Sequence, residues 1–146
     1  MSLAAPEAAG AANLAGKVIR DVARPLDTSE AIPPLLAVAN TDSLGEQIQR
    51  ALPETRVVKS LNTMLADTMV DPSRIPGQHN VFVAGEDADA RATVKSLLSG
   101  FGWPDEARSS TSVASVARAA RRRTRARFTV SAELGTYDFN LAIVRK

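Results

Sequence analysis

The 146-residue chain contains no cysteine and a single histidine, His79. Without cysteine there is no disulfide framework, no thiolate zinc site and no cysteine nucleophile. One histidine excludes most histidine-ligated metal sites and any triad that needs a second imidazole, so no metal is expected. No stretch approaches the roughly 20 apolar residues of a membrane span. The Ala-rich start MSLAAPEAAGAANLAG is interrupted by Pro6, Glu7 and Gly10 and lacks a basic leader, so it does not read as a signal peptide. The default is a cytoplasmic protein with no membrane partner. A GxGxxG phosphate turn is also missing from the whole chain.

What remains is a chain that is 45% hydrophobic, enough for one domain with a modest core. Its net charge of +2 hides an asymmetry. Residues 1–106 carry 9 basic against 14 acidic side chains, whereas residues 107–146 carry 9 against 2. The chain therefore divides into 1–106 of ordinary composition, a basic segment at 107–132, and a C-terminal piece at 133–146.

Residues 1–106 alternate between strand and helix signals. Ala4–Leu14 looks like the tail of a helix that Gly16 ends. Lys17–Ala23 is a short strand closed by Pro25, and Leu26–Asn40 is a long loop stiffened by Pro33 and Pro34. Ser43-Leu44-Gly45-Glu46 has the form of a capping box, opening a helix through Leu52 with Leu44, Ile48, Ala51 and Leu52 apolar. Arg56–Leu61 is the second strand. Thr63–Val70 suggests a short helix, Asn80–Ala84 a buried strand, and Asp87 caps a helix through Ser99 with Ala90, Val94, Leu97, Leu98 and Phe101 at helical spacing. Strands alternating with helices predict an α/β fold, a parallel sheet with crossover helices. Ligands of such sheets sit beyond the carboxyl ends of the strands, here at the loops 24–40 and 62–64.

The segments LAGKVIRDVARPLD, VANTDSLGEQIQRALPETRVVKSLNTM, VFVAGEDADARATVKSLLSGFGWPD and ELGTYDFNLAIVR resemble the bacterial NADP oxidoreductase family, similar to NADPH-dependent reductases of the deazaflavin coenzyme F-420. The resemblance covers about 110 of the 146 residues. It implies an incomplete Rossmann-like sheet: the unit bearing GxGxxG would lie N-terminal to Met1, and residues 1–106 would be the later portion of an NADP-binding domain. It also implies the chemistry, direct hydride transfer between NADP(H) and a deazaflavin stacked in one cleft. Such a transfer depends on orientation and water exclusion more than on an acid or base, because the cofactors carry the chemistry.

The matching cofactor-binding positions are Asn62, Thr63 and Met64, past the second strand, with Pro25 and Asn40 bounding the first long loop. No catalytic side chain is implied. Asn62 reads either as a turn residue or as a partner for a carboxamide or flavin carbonyl. Thr63 reads as a helix cap or a site residue, and Met64 as core ahead of cofactor contact. Arg24 stands where the family has a neutral amide, and its guanidinium either binds an anionic cofactor group or is exposed. Asp21 and Asp27 form no carboxylate pair and read as solvated loop residues. His79 reads as structural or solvated, and Gly85 as the turn from strand to helix.

The resemblance stops after Asp105 and resumes at about Glu133. Between them the run ARSSTSVASVARAARRRTRARFTVSA holds seven Arg and no acid. Phosphate neutralisation by these arginines would make a nucleic-acid module. Phe128 is the only aromatic beside them, so no stacking platform accompanies them, and nucleic acid is disfavoured as a partner. The composition is what a GC-rich gene gives when translated out of frame, and it predicts poor packing of residues 107–132 with loss of a strand and a covering helix. Three readings stand: a reductase of small-molecule cofactors, impaired in this chain alone; a non-catalytic Rossmann remnant; and a basic binding module. Homo-oligomerisation is left open.

Overall fold

A computed structural model describes residues 3–27, 29, 35–37, 42–105, 108–111 and 126–142. The described elements are α1 (Ala4–Ala9), α2 (Ala11–Leu14), β1 (Val18–Asp21), β2 (Leu26–Asp27), β3 (Leu35–Leu36), α3 (Leu44–Ala51), β4 (Arg56–Ser60), α4 (Ala66–Val70), a 3₁₀ turn (Pro72–Arg74), β5 (Val81–Ala84), α5 (Ala88–Gly100) and β6 (Arg108–Thr111). A last helix, α6, covers 126–134. The main sheet has the order β1-β4-β5-β6, and β2 and β3 form a separate two-stranded ribbon.

Local chemistry accounts for the helices. Ser43 caps α3: its hydroxyl accepts from the Glu46 amide at 3.2 Å and donates to the Glu46 carboxylate at 2.8 Å. The carboxylate thus holds the capping hydroxyl, a variant of the expected box. Leu44 and Ile48 are buried, and Ala51 is exposed. Asp87 caps α5 by accepting from the Ala90 amide at 2.6 Å. Ala90, Val94 and Leu98 form its buried stripe, while Leu97 faces solvent. Gly102, at φ 89°, ends that helix in a conformation open to glycine. The expected single N-terminal helix is instead two, broken at Gly10 with φ 82° and ψ 132°.

The α/β class and the incomplete Rossmann-like sheet stand, with one correction to strand direction. β1 and β4 are parallel, pairing Val18 with Arg56 through Asp21 with Lys59. β5 and β6 are parallel as well. β4 and β5 are antiparallel, pairing Lys59 with Ala84 and Ser60 with Val83. The reason lies in the connections. Each parallel pair is joined by a true crossover helix, α3 or α5. Residues 61–80 hold only the five-residue α4 and a 3₁₀ turn, with no crossover helix between the strands.

The sheet is packed on both faces. Val58, Val81, Val83, Ala90, Val94, Leu98 and Trp103 form the core on the α5 side. Leu44, Ile48, Leu52 and Val57 form a second cluster under α3. Gly85 is buried where β5 turns into α5; a Cβ there would lie 3.1 Å from the Val57 carbonyl and 3.2 Å from Val58 Cγ2. His79 is structural. Its Nε2 lies 3.0 Å from the Pro72 carbonyl, its Nδ1 lies 2.9 Å from Asn140 Nδ2, and its ring meets Trp103 edge-on at 5.1 Å. A carbonyl only accepts, so Nε2 carries the proton and Nδ1 accepts from the amide.

The expectation that residues 107–132 pack poorly, extended or as an isolated Arg-rich helix, and cost the sheet a strand is corrected where they are described. β6 extends the sheet, because ladder pairing uses backbone groups and tolerates an Arg/Ser/Thr sequence. In α6, Arg127 and Ser131 are buried. The rest of the segment, 112–125, lies outside the described residues.

Candidate functional site

At the carboxyl end of β1 the chain is held by a buried charge pair. Asp21 and Lys59 are 5% and 6% exposed, with Lys59 Nζ 2.6 Å from Asp21 Oδ2. Lys59 also donates to the Ala23 carbonyl at 2.6 Å, and Asp21 Oδ1 accepts from the Ala23 amide at 2.9 Å. The knot therefore fixes the turn that leads into Arg24 and Pro25. The expectation of a solvated Asp21 is corrected. Asp27 is exposed, as expected, and accepts from Ser29.

At the carboxyl end of β4, Leu61 takes φ 63° with its side chain buried. A left-handed conformation in a non-glycine residue is costly and persists only where its surroundings hold it. It turns the chain so that Asn62 and Thr63 are half-buried. Met64, 1% exposed, belongs to the core, so its thioether supports the turn from beneath. Among the described residues no hydrogen bond holds the Asn62 amide.

Two guanidiniums reach this turn from distant parts of the chain. Arg127 donates to the Thr63 carbonyl at 2.9 Å, and Arg24 to the Met64 carbonyl at 3.5 Å. Arg127 also donates to the carbonyls of Phe139 and Tyr137 at 3.1 and 2.8 Å and lies over the Phe139 ring at 4.6 Å. Burial lowers the pKa of both arginines, and the repulsion from Arg24 lowers that of Arg127 further. Among the described residues neither forms an ion pair with a carboxylate.

Beside this region a cavity of about 560 Å³ opens between α1, β1 and α3. Its walls include Ile19, Leu44 and Ile48, with Asp21, Arg24 and Pro25 at one end. Of the residues expected from the sequence, Asn62, Thr63 and Met64 are consecutive on the β4 turn. Pro25 lines the cavity and accepts from the Ala37 amide at 2.8 Å, closing the β2–β3 ribbon. Asn40 lies outside the described residues. The cavity does not include the Asn62–Met64 turn, and Arg24 is the side chain common to both.

Asp21, Lys59 and Arg127 hold the two turns, a placement that sequence reasoning misses. A lysine inside a buried strand, RVVKSL, is the available signal for the first two: such a charge needs a partner, and the parallel register supplies Asp21. Among the described residues no cluster of three metal-ligating side chains occurs, and no helix is long and apolar enough to cross a membrane.

No protein-family model and no curated protein matches the chain. Among solved structures, it is similar to a chain from Arthrobacter sp. FB24 described as a "putative f420 dependent nadp-reductase", at 49% identity and a TM-score of 0.91. That similarity covers 98% of this chain and 64% of the other, so this chain spans just under two thirds of its neighbour's length. A hypothetical protein, SMa0349, from Sinorhizobium meliloti matches at 17% identity and a TM-score of 0.48, over 90% of this chain and 57% of that one.

Proposed function

We propose that the chain forms the later part of an NADP(H)-dependent oxidoreductase that passes a hydride between NADP(H) and a deazaflavin coenzyme of the F-420 type. The observation that carries the reading is the 49% identity, over 98% of the chain, to the protein described as an F420-dependent NADP-reductase. The nicotinamide and the deazaflavin supply the redox chemistry when bound. The residues present here bind and orient. The Asn62 amide, without a partner among the described residues, sits at the carboxyl end of β4, where ligands of such sheets gather. The Asp21–Lys59 knot and the left-handed Leu61 hold the two flanking turns rigid, which a hydride transfer needs for its short, directed approach.

Pyrophosphate affinity in this fold class comes chiefly from a glycine-rich turn at a helix N-terminus. The 146 residues contain none, which favours an impaired chain or a non-catalytic remnant when these residues act alone. The test compares this chain with a version joined at its amino end to a GxGxxG unit. The joined protein is expected to bind NADPH and bleach the oxidised deazaflavin, while the 146-residue chain does neither. A joined protein that folds and binds both cofactors without hydride transfer would overturn the reading. Micromolar NADPH binding by the 146-residue chain would overturn the dependence on the added unit.

A further inference from the structure

Among the described residues, no carboxylate compensates the two arginines on the Asn62–Met64 turn. Arg127 is 7% exposed, yet its partners are three carbonyls and an aromatic ring. Carbonyls satisfy its donors without cancelling its charge. Arg24 is half-buried and spends one donor, at 3.5 Å, on the adjacent carbonyl. The one buried carboxylate among the described residues, Asp21, is committed to Lys59. Two positive charges held on consecutive carbonyls repel one another and lose hydration, so the site is at its most favourable with an anion between them.

We propose that Arg24 and Arg127 form an oxyanion site, of the phosphate class, at the Thr63–Met64 turn. Their division of labour follows from their contacts. Arg127 is the fixed member: Nη1 is saturated by Thr63 and Phe139 and Nη2 gives one proton to Tyr137, which among the described residues leaves Nε and the other proton of Nη2. Arg24 is the gripping member, with most of its fork uncommitted among the described residues and with access from the 560 Å³ cavity that it lines. A planar fork suits the bidentate geometry of phosphate oxygens. A dianion matches the two charges, which favours phosphate over a single carboxylate. The source is either free phosphate or the phosphate of a nucleotide cofactor; only the second source rests on the proposed function.

The experiment is thermal unfolding of the 146-residue chain in rising inorganic phosphate, with chloride matched for ionic strength, repeated with adenosine 2′-phosphate and with adenosine. A saturable rise in Tm with phosphate is expected, and none with adenosine. R24Q keeps much of the side chain's length and offers an amide N–H donor without the charge, so it is expected to unfold no earlier than the parent in chloride, where the repulsion is relieved, and to weaken phosphate at least about tenfold. R127K retains charge at the fixed position and is expected to keep a weakened response. Tighter binding of adenosine 2′-phosphate than of phosphate identifies a nucleotide source, and equal binding a free anion. An absent rise in the parent chain, or an equal rise in R24Q, overturns the site. Failure of hydride transfer in the joined protein leaves these curves unchanged, so the two readings fail separately.

Discussion

Asp21 and Lys59 are partners twice over: their Cα atoms are paired in the parallel β1–β4 register, and their side chains meet at 2.6 Å on the α3 side of the sheet. The pair spans 38 residues of sequence and closes on the Ala23 backbone as well. A buried ion pair is a weak source of net stability, but removing one member leaves an uncompensated charge.

Asp21→Asn is therefore expected to destabilise the fold by about 3–5 kcal/mol. The double variant Asp21→Leu with Lys59→Met removes both charges together and is expected to recover most of that loss. Urea unfolding of the set measures it. Equal loss in the single and double variants would show that the Ala23 hydrogen bonds, which only the double variant removes, matter as much to the fold as the balance of charge.

Gly85 is constrained by approach, not by φ. A Cβ at this position would face the Val57 carbonyl at 3.1 Å and Val58 Cγ2 at 3.2 Å, both on the central strand β4. Gly85→Ala is expected to cost about 1–3 kcal/mol, since β4 is fixed by β1 on one side and β5 on the other. Denaturant midpoints decide it, and a change under about 0.5 kcal/mol would mean that β4 gives way easily.

Asp42 contributes a pH dependence. Hydrogen bonds from Arg50 and Gln47 lower its pKa from 3.8 to about 2. A depressed carboxylate stabilises the folded state above its unfolded pKa, and the contribution fades as pH falls through the folded value. Asp42→Asn is thus expected to be less stable than the parent at neutral pH, with the difference closing between about pH 4 and pH 2. The pair is solvent-screened, with Arg50 largely exposed, so the gap should be small and shrink further in salt. A gap that persists unchanged at pH 2 would assign the effect to the hydrogen bonds of the neutral side chain.

Legibility in the sequence follows the range of the cause. The caps at Ser43 and Asp87 and the buried run Val81–Ala84 are local, and each is found where its residues predict. The β2–β3 ribbon is hidden because Pro33 and Pro34 lie between two strands of two residues each, too short for any alternation. The antiparallel β5 escapes a reading of composition because direction depends on the length of helix in the connection. Arg127 is the least legible. It stands in an arginine run that reads as surface, and its partner Thr63 is 64 residues away. Nothing within reach of a local pattern marks one arginine of that run as buried.

Asn62 separates the functional reading from a structural one. Its amide is half-buried at the end of β4 and bonds to nothing among the described residues, whereas its neighbours are committed: Leu61 and Met64 to the core, and the Thr63 carbonyl to Arg127. A residue that only served the turn would show its loss in stability. Asn62→Ala is expected to shift the unfolding free energy by no more than about 0.5 kcal/mol, as at an unpartnered surface position. In the joined, cofactor-binding protein the same change is expected to lower the rate of deazaflavin reduction by about tenfold, the worth of one oriented hydrogen bond to a neutral acceptor. Stopped-flow absorbance of the deazaflavin and parallel urea curves provide the two readouts. Unchanged kinetics would remove Asn62 from the site, and a stability loss above about 1 kcal/mol with proportionate loss of rate would assign it to the turn.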